Sequence, residues 1–329
     1  MSEKNFTPII DQDISSAKKS SRMLITGAAG LVGQNLIPLL VEQGYRNIIA
    51  IDKHKKNLEM LKLLNPTVKI VHADLAEPGE WGDLFKNAEK VILLHAEITS
   101  QYENDFIKNN IIATKNVLNV IEKYRVSYFI HVSSSVVNSV ATDLYSKSKK
   151  LQEDLVLNFL NPSCVLRPTL LFGWFDKKHL GWLSRFMEKI PIFPIPGSGQ
   201  YIRQPLYIRD FCQVIISAMK KNKTGVYNIT GKEEISYINI ICAIKKLKKS
   251  KTLILPIPYC LFYALLRCYS FFYKTPPFTV EQLKALTAGD FFTGVDINDE
   301  FDVKTTPLSI ALYETFMHPN YSKIELERV

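Results

Sequence analysis

Short apolar runs alternate with amphipathic stretches along the N-terminal two thirds of the chain, and the two periods predict strands and helices in turn. Met23-Leu24-Ile25 reads as a buried strand and Leu36-Ile37-Pro38-Leu39-Leu40-Val41 as the helix after it. Asn47-Ile48-Ile49-Ala50-Ile51 is a second strand closing on Asp52, and a lysine-rich helix start follows at 53–64. Residues 68–75 and 90–96 give a third and a fourth strand, the third ending in Asp74-Leu75 and the fourth in His95-Ala96. Residues 104–124 carry Ile107, Ile111, Ile112, Val117, Leu118 and Ile121 at helical spacing, and 128–132 is a fifth strand running into Ser133-Ser134-Ser135. A further helix opens at Asp143 and continues through Leu151, Leu155, Val156 and Phe159. Strands alternating with helices at this pitch predict an α/β fold with a doubly wound parallel sheet. Ligands in such sheets bind beyond the carboxyl ends of the strands, which is where Asp52, Asp74, His95 and the serine cluster all fall.

The last third changes character. Residues 225–231 predict a closing strand and turn, and 237–249 a helix. Residues 251–273 are aromatic and apolar, with Phe262, Tyr263, Tyr269, Phe271, Phe272 and Tyr273, and read as a core helix of a smaller domain. The domain plan expected is a loose extension at 1–22 and a Rossmann-type unit at 23–167 with returning segments near 205–230. A smaller substrate-binding α/β domain is assigned to 168–204 and 231–329.

Composition adds bounds. The chain has 329 residues, and its five cysteines include no CxxC pair. That pattern suggests neither a disulfide framework nor a metal site and points to a reducing, cytoplasmic compartment. The uncharged run 252–266 is interrupted by Pro256 and Pro258 and is shorter than the roughly 20 apolar residues of a membrane span. The formal charge is +9, densest at Lys245-Lys246-Leu247-Lys248-Lys249-Ser250-Lys251. Two readings are open for 245–273: a solvated helix end before a core helix, or a peripheral contact in which lysines meet anionic headgroups. The basic run lacks a nucleic-acid-binding module, so nucleic acid is not expected as a partner.

The first chemical signal lies between the first strand and helix: Thr26-Gly27-Ala28-Ala29-Gly30-Leu31-Val32-Gly33. Gly27 permits a tight turn, Gly30 lets a pyrophosphate approach the backbone, and Gly33 lets helix and strand pack closely. The helix N-terminus then aims N–H groups at the phosphates. Asp52 can take the ribose hydroxyls of an adenosine, which favours NAD over NADP because a carboxylate repels a 2′-phosphate. Asp74 has two readings, an acceptor for an adenine amino group or a cap after its strand. His95 reads as a packed strand-end residue beneath the cofactor.

The second signal is Tyr145 with Lys149, four apart and so on one helical face. An adjacent ammonium lowers the pKa of a phenol, and a hydroxyl from Ser135 can orient a carbinol oxygen as its proton leaves. A serine, a tyrosine base and a lysine beside a nicotinamide are what hydride transfer at a carbinol carbon requires.

With these residues in place, the chain resembles the extended short-chain dehydrogenase/reductases, specifically the NAD-dependent epimerase/dehydratase group acting on nucleotide sugars. The resemblance runs from about 23 to 319. It rests on the TGxxGxxG loop, Asp52, Asp74-Leu75, Asn110-Ile111-Ile112-Ala113-Thr114, the serine cluster and Tyr145-Ser146-Lys147-Ser148-Lys149. It implies Ser135, Tyr145 and Lys149 as the catalytic set. The cofactor contacts it implies are Gly27, Gly30, Leu31, Val32, Gly33, Asp52, Asp74, Leu75, His95, Ala96, Asn110, Ser133, Tyr145, Lys149 and Pro168. Leu166-Arg167-Pro168-Thr169 resembles the strand beside the nicotinamide, and Arg203 the arginine that grips the substrate diphosphate. Ser135, Tyr145 and Arg203 are thus the implied substrate contacts. The helices at 104–124 and 145–160 resemble a homodimer interface, and 278–283 and 301–317 resemble members handling 4-keto sugars.

Three departures bear on the reaction. Only nine residues separate Ser135 from Tyr145, and Asn138-Ser139-Val140 replaces the family's VYG. Val136-Val137 stands where the 4,6-dehydratases carry an acid pair, and Leu170 where some epimerases carry a substrate-binding Asn. The function expected is an NAD-dependent epimerase of a UDP- or dTDP-hexose, acting at C4, in polysaccharide biosynthesis. The alternatives are a nucleotide-sugar 4-ketoreductase using NAD(P)H, a family oxidoreductase on a non-sugar carbinol, and a non-catalytic nucleotide-binding subunit.

Overall fold

The computed structural model describes residues 21–139, 143–272, 280–287 and 291–327. The expected extension at 1–22 therefore lies almost wholly outside the described residues, as do Val140, Tyr273, Phe278 and Thr279.

Strand β1 (Arg22–Thr26) lies inside a seven-stranded parallel sheet with β2 (Ile48–Asp52), β3 (Lys69–His72), β4 (Ala88–Leu93), β5 (Tyr128–Val132), β6 (Ser163–Pro168) and β11 (Gly225–Ile229). The order across the sheet is β3-β2-β1-β4-β5-β6-β11. Leaving β1, the chain builds outward to β3, then crosses back to place β4 on the other side of β1. That reversal opens a crevice at the carboxyl ends of β1 and β4.

Successive strand residues point to opposite faces, and both faces are covered. Ile25, Ile92, Ile130 and Leu166 face one core layer with Leu36, Ile37 and Leu40 of helix α1 (Leu31–Glu42). Leu24, Val91, Phe129 and Val165 face a second layer with Phe85, Val117, Ile121 and Val156. Strands covered on both faces must read as continuous apolar runs, and that explains why β1, β2 and β5 are so legible. Helix α2 (Lys55–Leu64) leads to edge strand β3, which has no buried residue and is shorter than the expected 68–75, its last acid lying in the turn beyond it.

Other expectations need correction. The fourth strand stops at Leu93, so His95 and Ala96 lie in the loop after it. The 104–124 stretch is three pieces: α3 (Glu103–Phe106), a π-helical Ile107–Ile112, and α4 (Ala113–Lys123). The π segment carries Asn110 inward. The 251–273 stretch divides at Pro258 into strand β13 (Leu253–Ile257) and a helix, Tyr259–Phe272. No described side chain of that helix is buried, so it is not a core helix.

Outside the main sheet, three two-stranded sheets pair β7 (Leu171–Phe172) with β10 (Leu206–Tyr207), β9 (Ile202–Arg203) with β12 (Ile235–Ser236), and β8 (Ile192–Pro196) with β13. The C-terminal segment folds back onto the first half of the chain. Leu326 packs on Trp174, Phe175 and Leu31, and the Asn57 amide clasps the Glu327 backbone at both N–H (2.9 Å) and carbonyl (3.2 Å).

Candidate active site

The glycine turn is built from two packing glycines around an open one. Gly27 has φ +65°, and a Cβ there would lie 2.4 Å from the His95 nitrogen. A Cβ on Gly33 would lie 2.1 Å from the Ala28 carbonyl oxygen. At Gly30 the nearest atom would be 3.3 Å away, so the backbone is bare where an anion would approach. Gly30 is also the N-cap of α1 and supplies no side-chain cap, and no acid lies in the first turn. Leu31 and Val32 begin that helix half-buried, facing the first core layer. These features fit a dinucleotide pyrophosphate on the helix N-terminus.

At the end of β2, Asp52 braces this turn. Its carboxylate accepts the Ala29 N–H at 2.9 Å through Oδ2 and the His54 N–H at 2.9 Å through Oδ1. Burial raises its pKa while those two amides work against the rise. Asp74 behaves as a cap: it accepts the Ala76 N–H at 3.0 Å and pairs with Lys108 at 3.3 Å. Leu75 beside it is buried in the second core layer.

His95 sits inside a polar chain that sequence spacing did not disclose. Gln152 Nε2 donates to Thr114 Oγ1 (2.8 Å), whose own proton is then directed to His95 Nε2 (2.9 Å). The Nδ1–H of His95 in turn reaches Thr26 Oγ1 at 2.7 Å. Burial, assisted by the Lys149 charge, pushes the His95 pKa down to about 3, so the ring is neutral and packed rather than a base. Asn110 is fully buried and clasps the Glu97 backbone on both sides (2.6 and 3.1 Å). It also donates to Ser148 Oγ at 2.9 Å, tying the loop that begins at His95-Ala96 to the next helix. Glu97 shapes that loop by accepting three consecutive N–H groups, from Ile98, Thr99 and Ser100.

That next helix, α5 (Leu144–Leu157), is started by Asp143, whose carboxylate takes both the N–H and the hydroxyl of Ser146. Tyr145 and Lys149 lie one turn apart on it. The serine hydroxyl that acts on the Tyr145 phenol is that of Ser134. Burial raises its pKa, the Ser134 bond lowers it, and the Asp143 carboxylate raises it again. The Lys149 ammonium, 1% exposed, donates to the Val132 carbonyl (3.1 Å) and to Gln152 Oε1 (2.5 Å). Burial pushes its pKa down to about 7, opposed by the Glu153 carboxylate. Glu153 is itself held by a bidentate contact from Arg167 on β6.

Ser135 opens a short 3-10 turn, Ser135–Asn138, and is buried. The Ser133 N–H is bonded to Leu166, while its buried hydroxyl makes no hydrogen bond to the protein. Such an orphaned hydroxyl at the end of β5 suits a site that takes a polar ligand. Pro168 closes β6, opposite Ile229. Arg203 stands apart from this group: its guanidinium donates to the Leu286 carbonyl and lies 5.7 Å over the Tyr201 ring. Sequence reasoning gave no role to Ser134, Thr114, Gln152 or Glu97, because each acts through hydrogen bonds that carry no sequence motif.

The sheet order and the glycine turn together define a Rossmann-type dinucleotide fold. The chain belongs to the NAD dependent epimerase/dehydratase family, whose pattern it matches over residues 23–230, and it is accordingly an enzyme of NAD chemistry. Among curated proteins it is similar to a dTDP-glucose 4,6-dehydratase of Escherichia coli, 23% identical over 67% of this chain and 74% of that one. It is likewise similar to a UDP-glucose 4-epimerase of Dictyostelium discoideum, 22% identical over 68% of this chain and 80% of that one. Among solved structures, UDP-glucuronic acid 4-epimerase from Bacillus cereus in complex with NAD superposes with a TM-score of 0.68 at 21% identity, covering 89% of this chain and 96% of that chain. That last likeness is one of fold.

Proposed function

We propose that the protein is an NAD-dependent epimerase of a nucleoside-diphosphate hexose, acting at a ring carbinol, C4 by analogy with the epimerases it resembles. The single observation that carries this reading is the placement of Tyr145 on the first turn of α5, one helical turn from buried Lys149 and beside the Ser134 hydroxyl that lowers its pKa. Bound NAD supplies a reversible hydride acceptor at the carbinol carbon. Gly27, Gly30, Leu31, Val32 and Gly33 would hold its pyrophosphate, Asp52 its adenosine ribose, and Ser133, Lys149 and Pro168 its nicotinamide end. Tyr145 removes the carbinol proton as phenolate and returns it as phenol, Ser135 orients the sugar oxygen, and Lys149 favours the ionised phenol. Burial raises the Tyr145 pKa in this structure, and the Ser134 hydroxyl opposes that rise.

Epimerisation is favoured over dehydration because Val136 and Val137 follow Ser135, and no carboxylate occurs anywhere in 133–139. A steady-state reductase would more often draw on NADPH, whereas Asp52 at the ribose position favours NAD. Arg203 would take the substrate diphosphate by exchanging its bond to the Leu286 carbonyl. A homodimer is part of the proposal, supported by exposed Ile107 and Ile112 on one of the two helical stretches in question and by Leu151 and Leu157 on the other.

Proton NMR of the protein with catalytic NAD and a panel of UDP- and dTDP-hexoses tests the reading. Appearance of an epimer without net NADH supports it. Turnover only when NAD(P)H and a 4-keto sugar are added together replaces it with a single reduction.

A further inference from the structure

We propose that strand β13, the helix Tyr259–Phe272 and the lysine run ahead of them form a surface that docks onto an anionic phospholipid membrane. Three observations meet there. The helix is aromatic and aliphatic along its length, yet Leu261 is 50% and Leu265 53% exposed. These two residues are one turn apart and share a face, and Phe271 near the end is 86% exposed. Soluble surfaces rarely leave so continuous an apolar stretch to water.

The strand leading into the helix extends the patch. Leu253 is 57% exposed, Leu255 two residues on is also exposed, and Ile192, the register partner of Leu253, is exposed as well. Aliphatic side chains on one face of a two-stranded sheet are thus joined through Pro258 to the helix.

Charge selects the occupant. Residues 235–280 contain no Asp or Glu but six Lys and one Arg. Lys246, Lys249 and Lys251 are exposed, while Lys248 pairs with Glu188 at 2.8 Å. An apolar stretch flanked by unopposed cations fits headgroups that are negative and an interface that is greasy. It fits a second copy of the same surface poorly, because two-fold symmetry would set lysine run near lysine run. Among the described residues no helix is long and apolar enough to cross a membrane, so the contact would lie in the interface plane.

The test is co-sedimentation of the full chain with vesicles of phosphatidylcholine alone and of phosphatidylcholine with phosphatidylglycerol. At low salt, binding to the anionic vesicles is expected to exceed the neutral ones by about tenfold or more, and roughly 0.5 M salt should abolish the difference. The triple variant Lys246→Glu/Lys249→Glu/Lys251→Glu and the double variant Leu261→Asp/Leu265→Asp should each lose binding with an unchanged thermal unfolding midpoint. Absence of anionic-vesicle binding at low salt overturns the proposal. So does conversion of a dimer to a monomer by Leu261→Asp/Leu265→Asp without any effect on vesicle binding, which would assign the patch to self-association.

Discussion

Lys149 and Gln152 are joined by a 2.5 Å hydrogen bond from the ammonium to the amide oxygen, and both side chains are shut off from water. The amide nitrogen of Gln152 continues to Thr114 and to the His95 carbonyl, so the lysine is positioned by a network anchored under the glycine turn. Other ionisable groups around it are His95, His131, Tyr145 and Glu153, the last neutralised by Arg167. With a pKa pushed down to about 7, Lys149 loses its proton within the working range. Gln152→Glu sets a carboxylate beside the ammonium and raises that value. The alkaline limb of kcat/KM is expected to move up by about one pH unit, because the ammonium form supports the phenolate. Gln152→Leu should move it down. A profile that does not move in either variant would assign Gln152 to packing alone.

The glycines of the turn should separate folding from binding. Gly27→Ala puts a Cβ 2.4 Å from the His95 nitrogen at a left-handed φ, and a loss of about 3 kcal/mol or more is expected in denaturant unfolding. Gly30→Ala meets nothing nearer than 3.3 Å and should leave stability within about 1 kcal/mol. Its methyl would occupy the anion's approach, so NAD affinity by calorimetry is expected to fall tenfold or more.

Tyr145→Phe removes the proposed base while keeping the ring. Turnover should drop by about a thousandfold or more with NAD affinity preserved. Ser134→Ala removes the hydroxyl bonded to the phenol, whose effect is to lower the Tyr145 pKa. The acid limb of the rate profile should therefore shift upward in Ser134→Ala. Ser135→Ala, which makes no such bond, should lower kcat without that shift.

His95 and His131 make stability fall in acid. The His95 pKa is pushed down to about 3 and that of His131 lies well below the ordinary value, burial being the main cause for both. Between these values and the unfolded value near 6.5, the unfolded chain binds protons that the folded chain refuses. Stability should therefore fall as pH drops below 6.5, by up to about 1.4 kcal/mol per unit for each ring. His131 makes no hydrogen bond through either ring nitrogen, so His131→Phe should remove about half of that slope without a large penalty at pH 8. Urea midpoints at pH 8 and pH 5 measure the difference.

Much of the active region was legible in the sequence because its determinants are local. β1, β2 and β5 are covered on both faces and read as unbroken apolar runs. The glycine turn is one contiguous segment whose spacing follows from sterics, and Asp52 closes the next strand as its apolar run predicts. Tyr145 and Lys149 share a face simply because they are four apart on a helix. The order of strands and helices was therefore available before any coordinates.

Partner choice belonged to the tertiary structure. Nothing in the order Ser133-Ser134-Ser135 says which hydroxyl meets the phenol, since that depends on how α5 docks against the end of β5. Nor does spacing reveal that Gln152 captures the Lys149 ammonium, or that Asn110 turns inward through a π segment to hold Glu97. The stretch 251–273 shows the same division. Its hydropathy suggested a core helix, yet an apolar sequence is buried only where another element covers it, and here no described side chain of Tyr259–Phe272 is buried. Backbone periodicity and steric turns are encoded residue by residue, whereas burial, pKa and hydrogen-bond partners arise from segments far apart in the chain.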